Sequence, residues 1–134
     1  MPFLNQKGDS GIDPWGLFQF GTRPFCGYGA CFNWSPSIDN VNAWHENGFY
    51  ESGANVGFFS QGIQADNEDY SGEYTMYGPH YDDEIMQEAV LDLLESGDWQ
   101  PKGMNNGYNL SDHNCQDFAQ ALRTEYFRLG GTIH

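Results

Sequence analysis

The clearest alternation of apolar and polar positions lies in the second half of the chain and has a helical period. Ile85, Met86, Ala89, Val90, Leu93 and Leu94 recur as adjacent pairs every four residues and form one apolar stripe. Asp82, Asp83 and Glu84 set negative charge at the positive end of that helix, and Gly97 stops it. A second helix carries Phe118, Ala119, Leu122, Tyr126 and Leu129 on its buried side. It starts near Ser111 or Asp112, either of which suits an N-cap, and ends at Gly130-Gly131. Cys115 falls on the same stripe, one turn before Phe118 and Ala119, so its thiol faces whatever this helix packs on.

Earlier in the chain the apolar runs are short. Residues 41–45 leading to Phe49-Tyr50, a Glu51-Ser52-Gly53 turn and the run Asn55–Phe59 read as a β-hairpin. A third strand over residues 73–77 follows the acidic loop Asp66-Asn67-Glu68-Asp69. Residues 1–36 read as loop, because glycine and proline punctuate them throughout. Their interleaved aromatics, from Trp15 and Phe18 to Trp34, imply that this segment packs against the domain. No internal repeat is present. The expected class is α+β: a small antiparallel sheet on two or three helices, with a cysteine at a helix N-terminus.

Charge narrows the partners. Five basic residues stand against nineteen acidic ones, a net charge of −14. The five, Lys7, Arg23, Lys102, Arg123 and Arg128, are scattered, so nucleic acid and anionic membrane are poor partners and a basic protein would be steered in. No apolar run approaches the ~20 residues that span a bilayer. Residues 1–7 lack the apolar stretch of a secretory signal, so export would use another route.

Three cysteines are an odd number. Cys26 and Cys31 are close enough to pair, leaving Cys115 as one reactive thiol in an oxidising compartment; three reduced thiols in a cytosolic protein fit equally. Asp66-x-Glu68-Asp69 fails the EF-hand template, since Tyr70 and Ser71 stand where a ligand and the required glycine belong. No metal and no cofactor are expected.

Asn114-Cys115-Gln116-Asp117-Phe118-Ala119 carries the candidate chemistry. A first-turn cysteine meets unpaired backbone N–H groups and the positive end of the helix dipole, and both favour the nucleophilic thiolate. It needs a base and a group that orients the base. Among His45, His80, His113 and His134, His45 is the candidate base, because sheet packing on the helix brings its strand to Cys115. His113 stands two residues from the thiol and cannot face it on a helix. His80 belongs to a Gly78-Pro79 turn, and His134 is terminal and mobile. Asn55 leads the neighbouring strand and is the first choice to orient His45, with Glu46 and Glu51 as substitutes. The backbone N–H of Cys115 would form an oxyanion hole, with Asn114 or Gln116 as second donor. The alternative for Cys115 is a small buried core residue.

Asn114-Cys115-Gln116-Asp117-Phe118 resembles the Asn-Cys-[Glu/Gln]-[His/Asp]-Phe motif of circularly permuted papain-like enzymes, the lecithin retinol acyltransferase relatives within the NlpC-like group. Those enzymes place histidine first and cysteine near the C-terminus, the order of His45 and Cys115, and residues 44–59 resemble their histidine hairpin. The resemblance implies a permuted papain-like fold and a Cys-His hydrolase of amide bonds, with peptidoglycan peptide or protein as substrate. A lipid acyl hydrolase or acyltransferase, or a protein deamidase, would use the same apparatus; a binding or capping module without catalysis is the alternative from another class.

Asp13-Pro14-Trp15-Gly16-Leu17 resembles the Asp-Pro-x-Gly-Leu motif closing the core of Rhs-type polymorphic toxins, which a variable toxin domain follows. That implies residues 1–17 as the end of the Rhs core and 18–134 as the toxin domain. It further implies an effector of a type VI or similar system, held in a Rhs shell before release. Such an effector would be delivered into a target cell without a signal peptide and blocked by a cognate immunity protein.

Overall fold

The computed structural model describes residues 16–24, 26–27, 30–31, 44–110 and 112–134. It is an α+β fold. Strands β1 (Leu17–Pro24), β4 (Trp44–Phe49), β5 (Asn55–Phe59), β6 (Gly62–Gln64) and β7 (Thr75–Asp82) form an antiparallel sheet in the order β6-β5-β4-β1-β7. Two short strands, β2 (Cys26–Gly27) and β3 (Ala30–Cys31), pair separately, and helices α1 (Asp83–Ser96) and α2 (Cys115–Arg128) close the fold.

One interior strand, β1, overturns an expectation. Leu17–Pro24 lies in the segment read as loop, yet it pairs with both β4 and β7. Phe18 and Phe20 are 0% and 1% exposed. Each buried phenylalanine stabilises by roughly 1.5–3 kcal/mol, which outweighs the poor strand propensity of the glycine and proline beside them. A Cβ at Gly21 would come within 2.7 Å of Met76 Sδ, the end of a flexible and exposed side chain, and 3.3 Å of Thr75 O, so glycine fits beside β7 without adjustment. Pro24 sits at the strand end, where a missing N–H does least harm.

Three other boundaries move. The hairpin of β4 and β5 forms around Gly53, whose φ of 98° suits glycine. It continues into β6, which the sequence reading missed. The third strand runs through Gly78-Pro79 to Asp82 as an edge strand with a bulge opposite Gln19, whose Nε2 donates to Gly78 O at 3.0 Å. The last helix begins at Cys115 with Asn114 as N-cap, whereas Asp112 lies before it and Ser111 is outside the described residues. Asn114 Oδ1 accepts from Gln116 N and Asp117 N, and Asp117 Oδ2 accepts from Asn114 N, a reciprocal capping box.

α1 follows its stripe, with Met86, Ala89 and Val90 buried, and ends at Gly97 in the left-handed region. α2 buries Cys115, Phe118, Ala119, Leu122 and Tyr126. Both helices cover one face of the sheet, where Phe18, Phe20, Val56, Phe58 and Tyr81 form the core with them. Leu17 and Phe18 fall at the expected domain boundary, and Phe18 is already core. Asp13, Pro14 and Trp15 of the Rhs-like motif lie outside the described residues.

Candidate active site

Side chains of directly paired residues on antiparallel strands share a face. The register Thr22↔Glu46 and Phe20↔Gly48 puts Trp44, Glu46 and Gly48 on the helix-covered face. Arg23↔His45, Gly21↔Asn47 and Phe49↔Asn55 put His45, Asn47 and Asn55 on the other. The two halves of the candidate site therefore lie on opposite faces of β4: packing brings the His45 strand to Cys115 as expected, but the imidazole turns away from the thiol.

Cys115, first residue of α2, reaches the β4 main chain. Its Sγ accepts from Glu46 N at 3.5 Å and donates to Trp44 O at 3.8 Å, the two groups flanking His45. The residue is 2% exposed. The sequence reading expected a thiolate, and here the structure disagrees. Burial pushes the thiol up to about 11, and the Glu46 charge adds to it. The N–H groups of Glu46, Cys115 and Gln116 pull the other way without overcoming the loss of water.

His45 is 1% exposed, and its ring lies 4.3 Å from that of Phe59. Nε2 is 3.1 Å from Asn47 Oδ1. Burial, reinforced by the Arg23 charge, lowers His45 to about 4, so the ring is neutral at pH 7. Asn47, not Asn55, is the residue against the ring. Asn55 stands one step back: its Oδ1 accepts from Asn47 Nδ2 at 2.8 Å and from Asp66 N at 2.7 Å. Asp66 is in turn gripped by Arg23 at 2.8 and 3.2 Å and accepts from the Tyr74 hydroxyl. Burial alone would raise Asp66, but the Arg23 and Tyr74 hydrogen bonds and the Arg23 charge hold it below the usual carboxylate range.

The other candidates have different partners. Glu46 pairs with Arg123 at 2.6 Å and accepts from Tyr77, and Glu51 accepts from Leu17 N at 3.3 Å. Asn114 is committed to its cap, with Nδ2 on Leu110 O at 2.9 Å. Gln116 Nε2 donates to Trp44 O at 3.0 Å, and together with Thr22, Trp44, Glu46 and Thr75 it lines an open cleft of about 530 Å³ on the helix side. His113 stacks on Trp99 at 4.4 Å with Nε2 on Asp98 O. His134 is not loose as expected: its main chain pairs with His80, and its Nε2 lies 2.9 Å from Asp82 Oδ1. The β2–β3 register sets the main chains of Cys26 and Cys31 opposite each other.

The sequence reading missed Asn47, Arg23, Asp66 and Tyr74. The first was accessible: His45-x-Asn47 puts both residues on one face of any strand. The other three are brought in by β1 and by the chain after β6, which no local pattern announces. No described helix is long and apolar enough to cross a membrane. Comparison with protein-family models, with curated proteins and with solved structures finds no match.

Proposed function

We propose that this chain is a cysteine-dependent acyl hydrolase of permuted papain-like architecture, cleaving an amide bond by way of a thioester on Cys115. The observation that carries the reading is the seat of the Cys115 sulfur at the first residue of α2, against the two β4 main-chain groups that flank His45. The Nε2 contact with Asn47 supports it further, because an amide on one ring nitrogen is how a histidine base is oriented. For attack, the Cys115 proton must reach Nδ1 of His45, whose ring lies on the other face of β4, so one of the two side chains must first turn round the strand. Sulfur then attacks the carbonyl carbon, and the imidazolium gives its proton to the leaving amine. Water, deprotonated by the same imidazole, releases the acid and restores the thiol. The Cys115 main-chain N–H stabilises the oxyanion, the next N–H groups being held by the Asn114 cap, and Gln116 Nε2 joins it on leaving Trp44 O. Attack requires the thiol to be uncovered, and the cleft beside Trp44 and Gln116 is the side from which substrate enters.

The Rhs-like motif ahead of Phe18 supports a toxin domain, with an immunity protein as partner and a peptide of the cell wall or of a target protein as substrate. A lipid ester or a protein glutamine would engage the same groups. The second reading, a binding or capping module with Cys115 as core, is favoured by the 2% exposure of Cys115 and its raised pKa. Intact-mass analysis with an activated ester separates the two. The hydrolase reading requires a thioester adduct on the folded protein that Cys115→Ala abolishes and His45→Gln slows. An adduct that persists in Cys115→Ala, or toxicity unchanged in Cys115→Ser, sinks it.

A further inference from the structure

The side chains on the open face of the sheet form one directed chain of hydrogen bonds ending at His45. Carboxamide oxygen and nitrogen are easily exchanged in any structure, so polarity must come from a group with a single role. The main-chain N–H of Asp66 is such a group, because it can only donate. Its partner on Asn55, 2.7 Å away, must therefore be the oxygen. That same oxygen lies 2.8 Å from the Asn47 carboxamide, which must present its nitrogen there and its oxygen to His45. An oxygen 3.1 Å from Nε2 demands a proton on that nitrogen.

We infer that the Asp66 N–H, acting through Asn55 and Asn47, fixes His45 as the Nε2–H tautomer and so puts the basic lone pair on Nδ1. Asn55 and Asn47 are positioning residues. The Arg23–Asp66 ion pair is the anchor, since two bonds from the guanidinium, one from Tyr74 and the lid of Tyr70 4.2 Å from Arg23 hold the segment that carries the N–H. Nδ1 is the ring nitrogen nearer its own main chain, whose neighbours Trp44 and Glu46 touch the Cys115 sulfur. Gly57 keeps the path open: a Cβ there would collide with Asn47 Oδ1 and come within 3.2 Å of His45 Nε2.

The tautomer has meaning for catalysis only if the hydrolase reading holds, but it is measured without it. Long-range ¹H–¹⁵N spectra of the full chain at pH 7, with His45 assigned by loss in His45→Gln, report which nitrogen bears the proton. A protonated Nε2 is expected, retained in Asn55→Asp, whose oxygens still accept both donors, and replaced by a tautomer mixture in Asn55→Ala. A protonated Nδ1 in the parent protein overturns the inference, as does an unmixed Nε2–H signal in a folded Asn55→Ala. Should Asn55→Ala not fold, the parent spectrum alone decides. In the same variants, acylation of Cys115 by an activated ester should follow the tautomer, falling about tenfold or more in Asn55→Ala, since a wrong tautomer disables comparable triads. Absence of acylation in every protein, with the tautomers as expected, removes the hydrolase reading and leaves the relay standing.

Discussion

The Cys115 sulfur lies 3.5 Å from the main-chain N–H of Glu46, which keys the first residue of α2 to β4 at the position beside His45. Two unlike requirements meet there. The capping box at Asn114 fixes where the helix starts, and the apolar stripe from Phe118 to Tyr126 fixes how it rolls against the sheet. Together they leave the thiol no freedom to turn toward water, so the helix-terminal N–H groups act on a sulfur that burial already holds protonated. Reactivity at this position is a matter of access first and of ionisation second.

That ordering predicts slow alkylation. With its pKa raised from 9.0 to about 11, Cys115 carries about a hundredfold less thiolate at pH 8 than an ordinary cysteine would. Iodoacetamide labelling of folded protein, followed by peptide mass analysis, should be slower by at least that factor than labelling in denaturant. Comparable rates in the two states would show that the sulfur is open.

Acid should destabilise the fold before the carboxylates titrate. His45 has a folded pKa of about 4 against 6.5 when unfolded, so between those values the unfolded chain binds the extra proton. Its contribution is complete above pH 6.5 and is lost as pH falls toward 4, about 3 kcal/mol in all. Arg23 opposes protonation of the ring and Asp66 favours it, with Asn47 the neutral neighbour. Asp66, whose folded pKa is lowered, adds its own loss at still lower pH. Urea unfolding at pH 7, 5.5 and 4.5 should show the decline, and His45→Gln should flatten it.

Local pattern revealed the helices and the hairpin, because each carries its signal within a dozen residues. α1 has its stripe, its acidic start and Gly97; the hairpin has Gly53 and alternating apolar residues around it. β1 was hidden by its own composition. Gly21 and Pro24 read as loop until the pairing of β1 with both β4 and β7 is known. The site divides the same way. That Cys115 opens a helix and that His45 lies on the strand beside it were legible from helix-end chemistry and chain order, whereas the turn of the imidazole to the other face of β4 was not, and Asn47 was legible from strand alternation. Arg23 and Asp66 are 43 residues apart and join only through the sheet. The thiol's ionisation went against the sequence reading because a dipole is local and burial is not.

Gly57→Ala should damage the open-face chain more than its single methyl suggests. The new Cβ would strike Asn47 Oδ1, so Asn47 must swing away from His45. Overpacking of this kind costs about 1–3 kcal/mol. The resonance of the His45 ring proton should shift or broaden while the helix signals in circular dichroism stay unchanged. Gly53→Ala, where the φ of 98° is strained but open space surrounds the position, should lower stability without touching that resonance.

On the helix face, Arg123 spans Glu46 at 2.6 Å and Tyr77 OH at 2.5 Å, with its guanidinium 4.1 Å from the centre of the Phe20 ring. Arg123→Met keeps much of the packing on Phe20 but leaves a buried carboxylate without its cation, an arrangement that costs about 3–5 kcal/mol. Arg123→Met with Glu46→Leu removes both charges and should recover most of that loss, since apolar replacement of a buried pair is often neutral. The coupling energy from the four proteins, measured by urea unfolding, should exceed about 1 kcal/mol in magnitude. The same double variant reports on Cys115. Glu46 raises the thiol pKa through its charge, so its removal should speed iodoacetamide labelling at fixed pH relative to the parent. Faster labelling with stability restored would assign the effect to charge, and faster labelling only where stability is lost would assign it to opening of the fold.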